Sequence, residues 1–562
     1  MSTLAPPELF QEQQSTKWRR SIEDAVRRLN GNSGLVLLGL TVFYLLLVIP
    51  LALIKLLWAD EFITYYIAKT NSIHGVWNAI AQGTDPNPPL SHLLVMWSMR
   101  LFGDSAFAVR IPAMIAVLVG VICVYLFLQR RLPTVYAAAG ACLFLSTAAL
   151  NYAYESRSYA LILGFSMASL LLWSEATDGK HELLASVGLA ITLGAGIASN
   201  YFCVLAFFPI AAGELVRDYR RRKIEWRIWI AIAIGALPFL FFLPLINHAI
   251  SQFGPHAWNK PKLDVIADSY TEMVEVVLIP ALAILAMGAV HFLKQKKKAV
   301  EVTPPVLPRH EMIAVFVMML YPMLGYTLAV ARAGMISPRF VLPVCWGFAI
   351  ATVVAFYRMF SRNLVAAGTL LLVMVSWAIA RDGFCAYDYV SQRLAFNRVL
   401  NGMPAANTIV VADSLLVQPM YHYAPPQLAA RIVFPLDFKL IQRYKREDSL
   451  EQNYWAGRGI FPVPIVSLNQ LQENSPNYVV VAANGNWMLQ KFEVDGSPAT
   501  LLPIATDSHD IGGFTPLSHG ETYFFEVGKP LRWDEQYAQT KANSLANWNR
   551  DRARTPARGM QQ

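Results

Sequence analysis

Charge is what this sequence has least of. Asp, Glu, Lys and Arg make up 15% of its 562 residues, against about 25% in a typical soluble domain. That shortage argues against a wholly soluble globular protein. The 55% apolar and aromatic content removes intrinsic disorder, whose signature is low hydrophobicity. Cysteine is also scarce, with five residues in all. Cys123, Cys142, Cys203 and Cys345 lie inside apolar blocks and Cys385 stands just after the last one. Without a CxxC or Cys/His pairing, neither a disulfide framework nor a structural zinc site can be read. The motifs HExxH, GxSxG and the P-loop are absent too, which leaves soluble-hydrolase readings unsupported. No internal repeat or low-complexity tract stands out.

Apolar residues are abundant and come in many separate blocks, so a signal peptide in front of a soluble enzyme does not account for them. A helix needs about 20 apolar residues to cross a bilayer core. On that measure the sequence predicts about eleven transmembrane helices, at 34–57, 106–128, 134–152, 157–174, 183–202, 203–216, 227–246, 271–293, 311–330, 339–358 and 363–380. The fold class expected is a polytopic α-helical membrane protein. Basic residues set its orientation by the positive-inside rule. Lys17, Arg19, Arg20, Arg27 and Arg28 precede the first span and place residues 1–33 in the cytoplasm. Arg130 and Arg131 follow the second span, Arg217 to Lys223 the sixth, Lys294 to Lys298 the eighth, and Arg358 and Arg362 the tenth. Only the loop after the fourth span is weakly basic. The net charge of +9 therefore reads as topology rather than as a nucleic-acid footprint, and no nucleic-acid partner is expected.

An odd span count leaves everything after residue 380 outside the cytoplasm. There the composition changes. Short β-type runs at 408–412, 431–434, 478–481, 501–504 and 523–527 alternate with helical stretches at 414–424 and 485–493, which predicts a small extracytoplasmic α/β domain over 381–533. Residues 534–562 read as a polar tail. The aromatic segments Tyr421–Pro426 and Asn484–Trp487 are either ordinary turns or sugar-stacking loops.

The charges that break the topology pattern carry the chemistry. The first outer loop, 58–105, opens on Asp60 and Glu61 at the end of span one, and ionisable residues at such a boundary are functional candidates. It continues through Asp85-Pro86-Asn87-Pro88-Pro89-Leu90-Ser91-His92, where proline suits the first turn of a helix. An amphipathic helix then runs from Leu90 to Phe102, with Leu93, Leu94, Trp97 and Leu101 on one face, suited to the membrane interface. Gly103 ends it. Arg157, within Glu155-Ser156-Arg157-Ser158-Tyr159, and Arg339, within Ser337-Pro338-Arg339-Phe340, are cations on the side where cations are unexpected. Either they snorkel toward headgroups, or Arg157 pairs with Glu155, or they clamp a phosphate, whose oxygens a guanidinium matches bidentately.

Taken in order, the Asp-Glu pair after the first span, Asn-Pro-Pro-Leu, Phe-Gly-Asp-Ser…Arg-Ile-Pro, Ser-Arg-Ser-Tyr-Ala-Leu and Pro-Arg-Phe-x-x-Pro resemble the bacterial branch of the dolichyl-phosphate-mannose protein mannosyltransferases. That family is glycosyltransferase family 39, with the GT-C fold, and the aminoarabinose lipid A transferases are relatives. The likeness spans about residues 34–380. It implies an inverting membrane glycosyltransferase that draws its sugar from a polyprenyl-phosphate donor. It also implies that the first loop walls the active site, with Asp60 as catalytic base and Glu61 beside it. One departure matters: the aminoarabinose branch has an acid and a lysine directly before Pro-Pro, where Pro86 and Asn87 stand here. Asp85, one position further back, could replace the acid, and the same sugar or a lipid A acceptor is not implied.

The residues agree with that chemistry. A carboxylate can take the proton of an acceptor hydroxyl as it attacks the anomeric carbon. Charge developing on the departing phosphate calls for cations, which Arg157 and Arg339, with Tyr159 beside them, could supply. Asp85, Asn87 and His92 join the list of site-loop residues. The partners expected are the lipid-linked donor, membrane lipid, and a protein, lipid or glycan acceptor. A divalent metal is possible, since Asp60, Asp85, His92, His248 and His256 offer donors, but no ligand spacing marks a site. The alternative reading is a transporter or flippase for a lipid-linked sugar, in which broken mid-membrane helices and paired halves are common. Neither is visible in the sequence.

Overall fold

The computed structural model describes residues 23–179, 181–295, 306–360, 363–405, 407–475, 477–483, 486–495, 499–502 and 522–527. The polar tail expected from 534 lies outside them. All eleven apolar stretches fall on helix, but not as eleven straight spans. Five helices are individually long and apolar enough to cross a membrane: α1 (Ser33–Ile54), α5 (Ala106–Gln129), α7 (Tyr159–Thr177), α8 (Glu182–Ser199) and α16 (Leu364–Gly402). Side-chain caps start several of them. Asn32 accepts from Leu35 N at 3.2 Å, and Ser105 from Ala108 N at 3.1 Å, each satisfying an amide with no partner inside the helix.

Three further spans are bent pairs, and the bends have local causes. The stretch expected at 134–152 is α6 (Thr134–Leu145) followed, after a 75° turn, by a 3-10 segment over Ala148–Tyr154. At the break, Ser146 Oγ donates to Cys142 O and Met374 O, and Thr147 Oγ1 donates to Phe144 O. The stretch at 227–246 is α10 (Trp226–Phe241) and α11 (Leu243–Phe253), bent by 52° with Pro244 in the first turn of the second helix. The stretch at 311–330 is α13 (Arg309–Met319) and α14 (Tyr321–Leu328), bent by 57° with Pro322 in the same position. Proline lacks the amide that would continue the earlier ladder. Hydropathy does not register such breaks, and Pro244 and Pro322 are the residues in the sequence that could have marked two of them.

The remaining stretches lie on α9 (Phe207–Arg221), behind a 3-10 segment at Tyr201–Ala206, on α12 (Asp264–Gln295) and on α15 (Val344–Met359). Helix α16 does not stop where apolarity does. It runs past residue 380 to Gly402, with Arg381 and Asp382 buried in it.

The two ends of the bundle gather different loops. At one end Arg130 pairs with Asp178, and Arg131 with both Asp178 and Glu311. This joins the loops that follow α5 and α7 and the one that precedes α13. At the other end meet the loops after α1, after the 3-10 segment at 148–154, after α8, after α11 and before α15. This is the alternation that the basic residues implied, and it includes the weakly basic loop after the fourth span.

The first loop contains α2 (Ala59–Lys69), α3 (Ile73–Ala81) and α4 (Leu90–Phe102). Helix α4 is amphipathic as expected. Trp97, Leu101 and Phe102 are exposed while Ser91, His92, Val95 and Met96 are buried. After α16 comes a six-stranded sheet in the order β3-β2-β1-β4-β6-β5. Its strands are β1 (Thr408–Val411), β2 (Ile432–Pro435), β3 (Ile465–Val466), β4 (Tyr478–Ala483), β5 (Ala499–Leu501) and β6 (Thr522–Val527). The first four run parallel, while β6 runs antiparallel to β4 and β5. Five strands fall close to the runs read from sequence. β3, two residues long, was not among them. Helices α17 (Val417–Tyr423), α18 (Pro426–Ala429), α19 (Phe438–Tyr444), α20 (Ser449–Ala456), α21 (Leu468–Asn474) and α22 (Trp487–Asp495) connect the strands. One apolar core fills the helical bundle. A second is shared by the first loop and the sheet, running from Leu57, Phe62 and Tyr66 to Ile409, Val480 and Trp487.

Candidate active site

Asp60 and Glu61 both stand in the first turn of α2, where the helix dipole favours carboxylates. Their surroundings differ. Glu61 and Arg110 are wholly buried and form a bidentate pair, Arg110 Nε to Oε1 at 2.8 Å and NH2 to Oε2 at 2.7 Å. Glu61 Oε1 also accepts from Ser156 N at 2.8 Å, and Oε2 from Trp58 N at 3.4 Å. Arg110 donates further to the carbonyls of Ala52, Lys55 and Leu56, at 2.8, 2.7 and 3.0 Å. Burial would push the Glu61 carboxyl up, but the Arg110 guanidinium outweighs it, with help from Lys55 and the Ser156 amide, and holds it below the usual range. Glu61 thus ties α2 to the end of α1, to α5 and to the segment that carries Arg157.

Asp60 is bound more loosely. Its Oδ2 lies 3.1 Å from Arg339 NH1, with about a tenth of each side chain exposed. Its Oδ1 has no hydrogen-bond partner among the described residues. Arg157 NH1 lies 2.6 Å from Asp85 Oδ2 and 3.2 Å from both Asp60 O and Thr64 Oγ1. Asp85 Oδ1 accepts from the Asn87 backbone at 2.8 Å and from its side chain at 2.6 Å. His92 Nε2 stands 3.5 Å from Asp85 Oδ2 but makes no hydrogen bond there. Asp85 is fully buried, which works against its charge, yet Arg157 foremost, with His92 and Asn87, keeps its carboxyl well below the usual range. Asn87 Oδ1 in turn accepts from Ser158 Oγ and Asn200 Nδ2, both at 3.1 Å.

Tyr159 links the two cations. Arg157 stands 6.0 Å and Arg339 5.2 Å from its ring centre, within cation–π range. Arg339 also lies 5.6 Å from the ring centre of Trp258, which is 45% exposed. The Nε of Arg157 and the Nε of Arg339 are both buried without a hydrogen-bond partner. Buried donors in this state are uncommon and costly. Here two of them belong to cations about one carboxylate.

The eight residues singled out in the sequence, Asp60, Glu61, Asp85, Asn87, His92, Arg157, Tyr159 and Arg339, are thus drawn into one network from loops up to 279 positions apart. The suggested Arg157–Glu155 pair does not form. Glu155 pairs with Lys55 at 2.5 Å in a buried contact beside the rings of Tyr154 and Tyr389. Arg110, Lys55, Thr64 and Trp258 were not picked out for the site. Arg110 and Lys55 are charges within or beside apolar stretches, and that anomaly is the signal that would have found them. Trp258 has no such signal. Among the described residues no three His, Cys, Asp or Glu side chains converge as a metal-ligand set. His248 is exposed on α11, and the His256 side chain lies outside the described residues.

A model of the dolichyl-phosphate-mannose-protein mannosyltransferase family matches residues 86–248, a region that holds Asn87, His92, Arg157 and Tyr159. Two solved structures of ArnT from Cupriavidus metallidurans superpose on the chain. The apo form gives a TM-score of 0.56 at 12% identity, covering 89% of this chain and 99% of that one. The form bound to undecaprenyl phosphate gives 0.53 at 12% identity, covering 88% and 98%. No curated protein matches the sequence significantly. In family this chain is similar to the dolichyl-phosphate-mannose-protein mannosyltransferases, and in fold it is similar to ArnT, a GT-C membrane architecture.

Proposed function

We propose that the protein is an inverting glycosyltransferase that moves a sugar from a polyprenyl-phosphate donor to an acceptor hydroxyl on the extracytoplasmic face of a bacterial inner membrane. The observation that carries this reading is the division of roles among three carboxylates. Glu61 and Asp85 have both oxygens committed to hydrogen-bond donors, whereas Asp60 keeps Oδ1 free beside two arginines with unpartnered Nε atoms. A general base needs a free lone pair within reach of the proton it takes. A phosphate needs donors already pointed at it.

In this arrangement the donor phosphate is held by Arg157 and Arg339, with Tyr159 fixing both guanidiniums. The acceptor oxygen attacks the anomeric carbon and its proton passes to Asp60. The new C–O bond forms as the bond from the anomeric carbon to the phosphate oxygen breaks, and polyprenyl phosphate departs with that electron pair, held by the two arginines. A phosphate that engages Arg339 also releases Asp60 from its ion pair. Asp85, Asn87 and His92 hold Arg157 in place. The sheet at 408–527 shares its core with the first loop, which supports one catalytic unit made of bundle and domain. The basic loops at the opposite end of the bundle support a cytoplasmic N-terminus and an extracytoplasmic site.

The test is release of polyprenyl phosphate from a lipid-linked sugar donor by purified, detergent-solubilised protein. Asp60→Asn is expected to lower the rate by about 10²–10⁴-fold, the usual range for a general base. A variant that stays folded and releases product at the wild-type rate refutes the assignment. The three bent helix pairs favour a second reading, a transporter of lipid-linked sugars. Such a protein would move donor across vesicles without releasing polyprenyl phosphate.

A further inference from the structure

The C-terminal sheet places β1 and β4 side by side and parallel, with β2 and β3 continuing on one side only. Chain order therefore reverses between β1 and β4. In open parallel sheets, ligands bind outside the carboxyl ends of the strands at such a point. Here it lies just beyond Val411 and Ala483, where Asn486 Nδ2 donates to Ala412 O at 3.0 Å.

This edge of the sheet is docked on the first loop. Leu57 N donates to Tyr423 Oη at 2.8 Å. The His422 ring packs 4.9 Å from Phe62 and 5.5 Å from Tyr65, and Phe461 packs 5.9 Å from Tyr66. Tyr454 Oη donates to Ser414 O at 2.8 Å, which brings α20 to the end of β1. Phe62 and Tyr65 belong to the helix whose first turn carries Asp60, so the edge is docked on the helix of the proposed base.

Gln418 sits in the first turn of α17, one turn before His422 and so on the same face of the helix. That face meets α2. Gln418 is 0% exposed, and neither its Oε1 nor its Nε2 has a hydrogen-bond partner. Asp448 Oδ1, at the N-cap of α20, and Asn453 Oδ1, in its middle, are buried and unpartnered as well. So is Thr84 Oγ1 on the facing loop, whose methyl abuts Gly457. Each such group lowers the stability of the free protein. An apolar side chain of Gln418's size would fill the same space without that cost.

We propose that this edge binds the uncharged, hydroxyl-rich part of the acceptor, a neutral glycan, and presents one of its hydroxyls to Asp60. The proposal rests on the transferase reading above. An amide that both donates and accepts matches the paired donor and acceptor character of sugar hydroxyls. The charge here is also the reverse of that around the arginines. The buried acids Asp413, Asp448 and Glu451 outnumber Lys445, which is itself paired with Glu451 at 3.0 Å. A phosphate or carboxylate is disfavoured at this edge and favoured at Arg157 and Arg339, so donor and acceptor are sorted by sign. Reaching Gln418 requires the docked faces to part.

The test uses full-length protein in detergent against an array of neutral oligosaccharides and their phosphorylated counterparts. The wild type is expected to bind neutral members. Gln418→Met should weaken that binding about tenfold while its melting temperature stays level or rises, since an unpartnered buried amide has been removed. An amide with a structural role would give the opposite shift. The proposal is overturned if no neutral glycan binds, if only phosphorylated glycans bind, if Gln418→Met binds as wild type does, or if it melts several degrees lower. Binding is read without donor, so failure of the wild type to release polyprenyl phosphate would count against transferase activity and not against the sugar site.

Discussion

Removing Arg110 tests whether the candidate site is assembled by one buried ion pair. The guanidinium donates to both oxygens of Glu61 and to three backbone carbonyls at the end of α1, all in a fully buried position. Arg110→Leu would leave a buried carboxylate with only the amides of Ser156 and Trp58, and three carbonyls without this donor. Breaking a buried pair from one side costs about 3–5 kcal/mol. At roughly 2–4 °C per kcal/mol, as for domains of 150–250 residues, the apparent melting temperature in detergent should fall by about 10 °C. Replacing both partners, Arg110→Met with Glu61→Met, removes the uncompensated charge and should recover at least half of that loss. Donor turnover should not recover with it, because Glu61 Oε1 is the atom that joins the Asp60 helix to the Ser156–Arg157 segment. Melting is followed by fluorescence-detected size exclusion after heating. If Arg110→Leu melts within about 2 °C of wild type, or the double variant is as unstable as the two single losses combined, the pair does not hold the site together.

Other consequences can be measured separately. The folded-state value of Asp85 is depressed, so its stabilisation is complete above the unfolded value of about 4 and is lost as pH falls through the lower folded value. The melting difference between wild type and Asp85→Asn should then stay constant from pH 8 to about 5, and a difference that closes in that window would contradict the Arg157 pairing. Trp258 lies within cation–π range of Arg339, a contact worth about 0.5–1 kcal/mol, so Trp258→Ala should raise KM for the donor a few-fold and change kcat less. Equal losses in both would place Trp258 in the chemical step instead. Burial chiefly, with Lys69, pushes the His422 imidazole below its ordinary value. It is neutral where it packs on Phe62 and Tyr65, and its contribution is complete above about pH 6.5 and lost as the pH falls through the folded value. Protection from hydrogen exchange over 417–423, after correction for the intrinsic pH dependence of amide exchange, should therefore fall on acidification, and a His422→Phe variant should not show the change.

Most of the charged residues that meet in the candidate site could be found in the sequence because a membrane protein makes its polar residues conspicuous. Asp60, Arg157 and Arg339 stand out against apolar flanks, and the positive-inside pattern puts all three at one end of the bundle. Their roles could not be read the same way. Asp60 and Glu61 are neighbours in sequence and in helix position. One is a locked structural anion and the other keeps a free oxygen only because Arg110 arrives from α5 on one side and Arg339 from far along the chain on the other. The broken helices escaped detection for a related reason. Hydropathy records which residues prefer lipid, whereas the breaks come from Ser146, Thr147, Pro244 and Pro322 acting on individual backbone hydrogen bonds.

The sequence by itself determined that the chain is a many-helix membrane protein, which of the loops around the candidate site share one end of the bundle, and which residue types are available there. Burial of apolar surface and the cost of charge in lipid are properties of segments, and they are additive enough to be read locally. Tertiary structure alone decided the pairing of those charges, which carboxylate keeps a free oxygen, and the docking of the sheet's carboxyl edge over the first loop. Those outcomes depend on distances of about 3 Å between groups tens to hundreds of positions apart. At that range one guanidinium or another decides what a carboxylate can do.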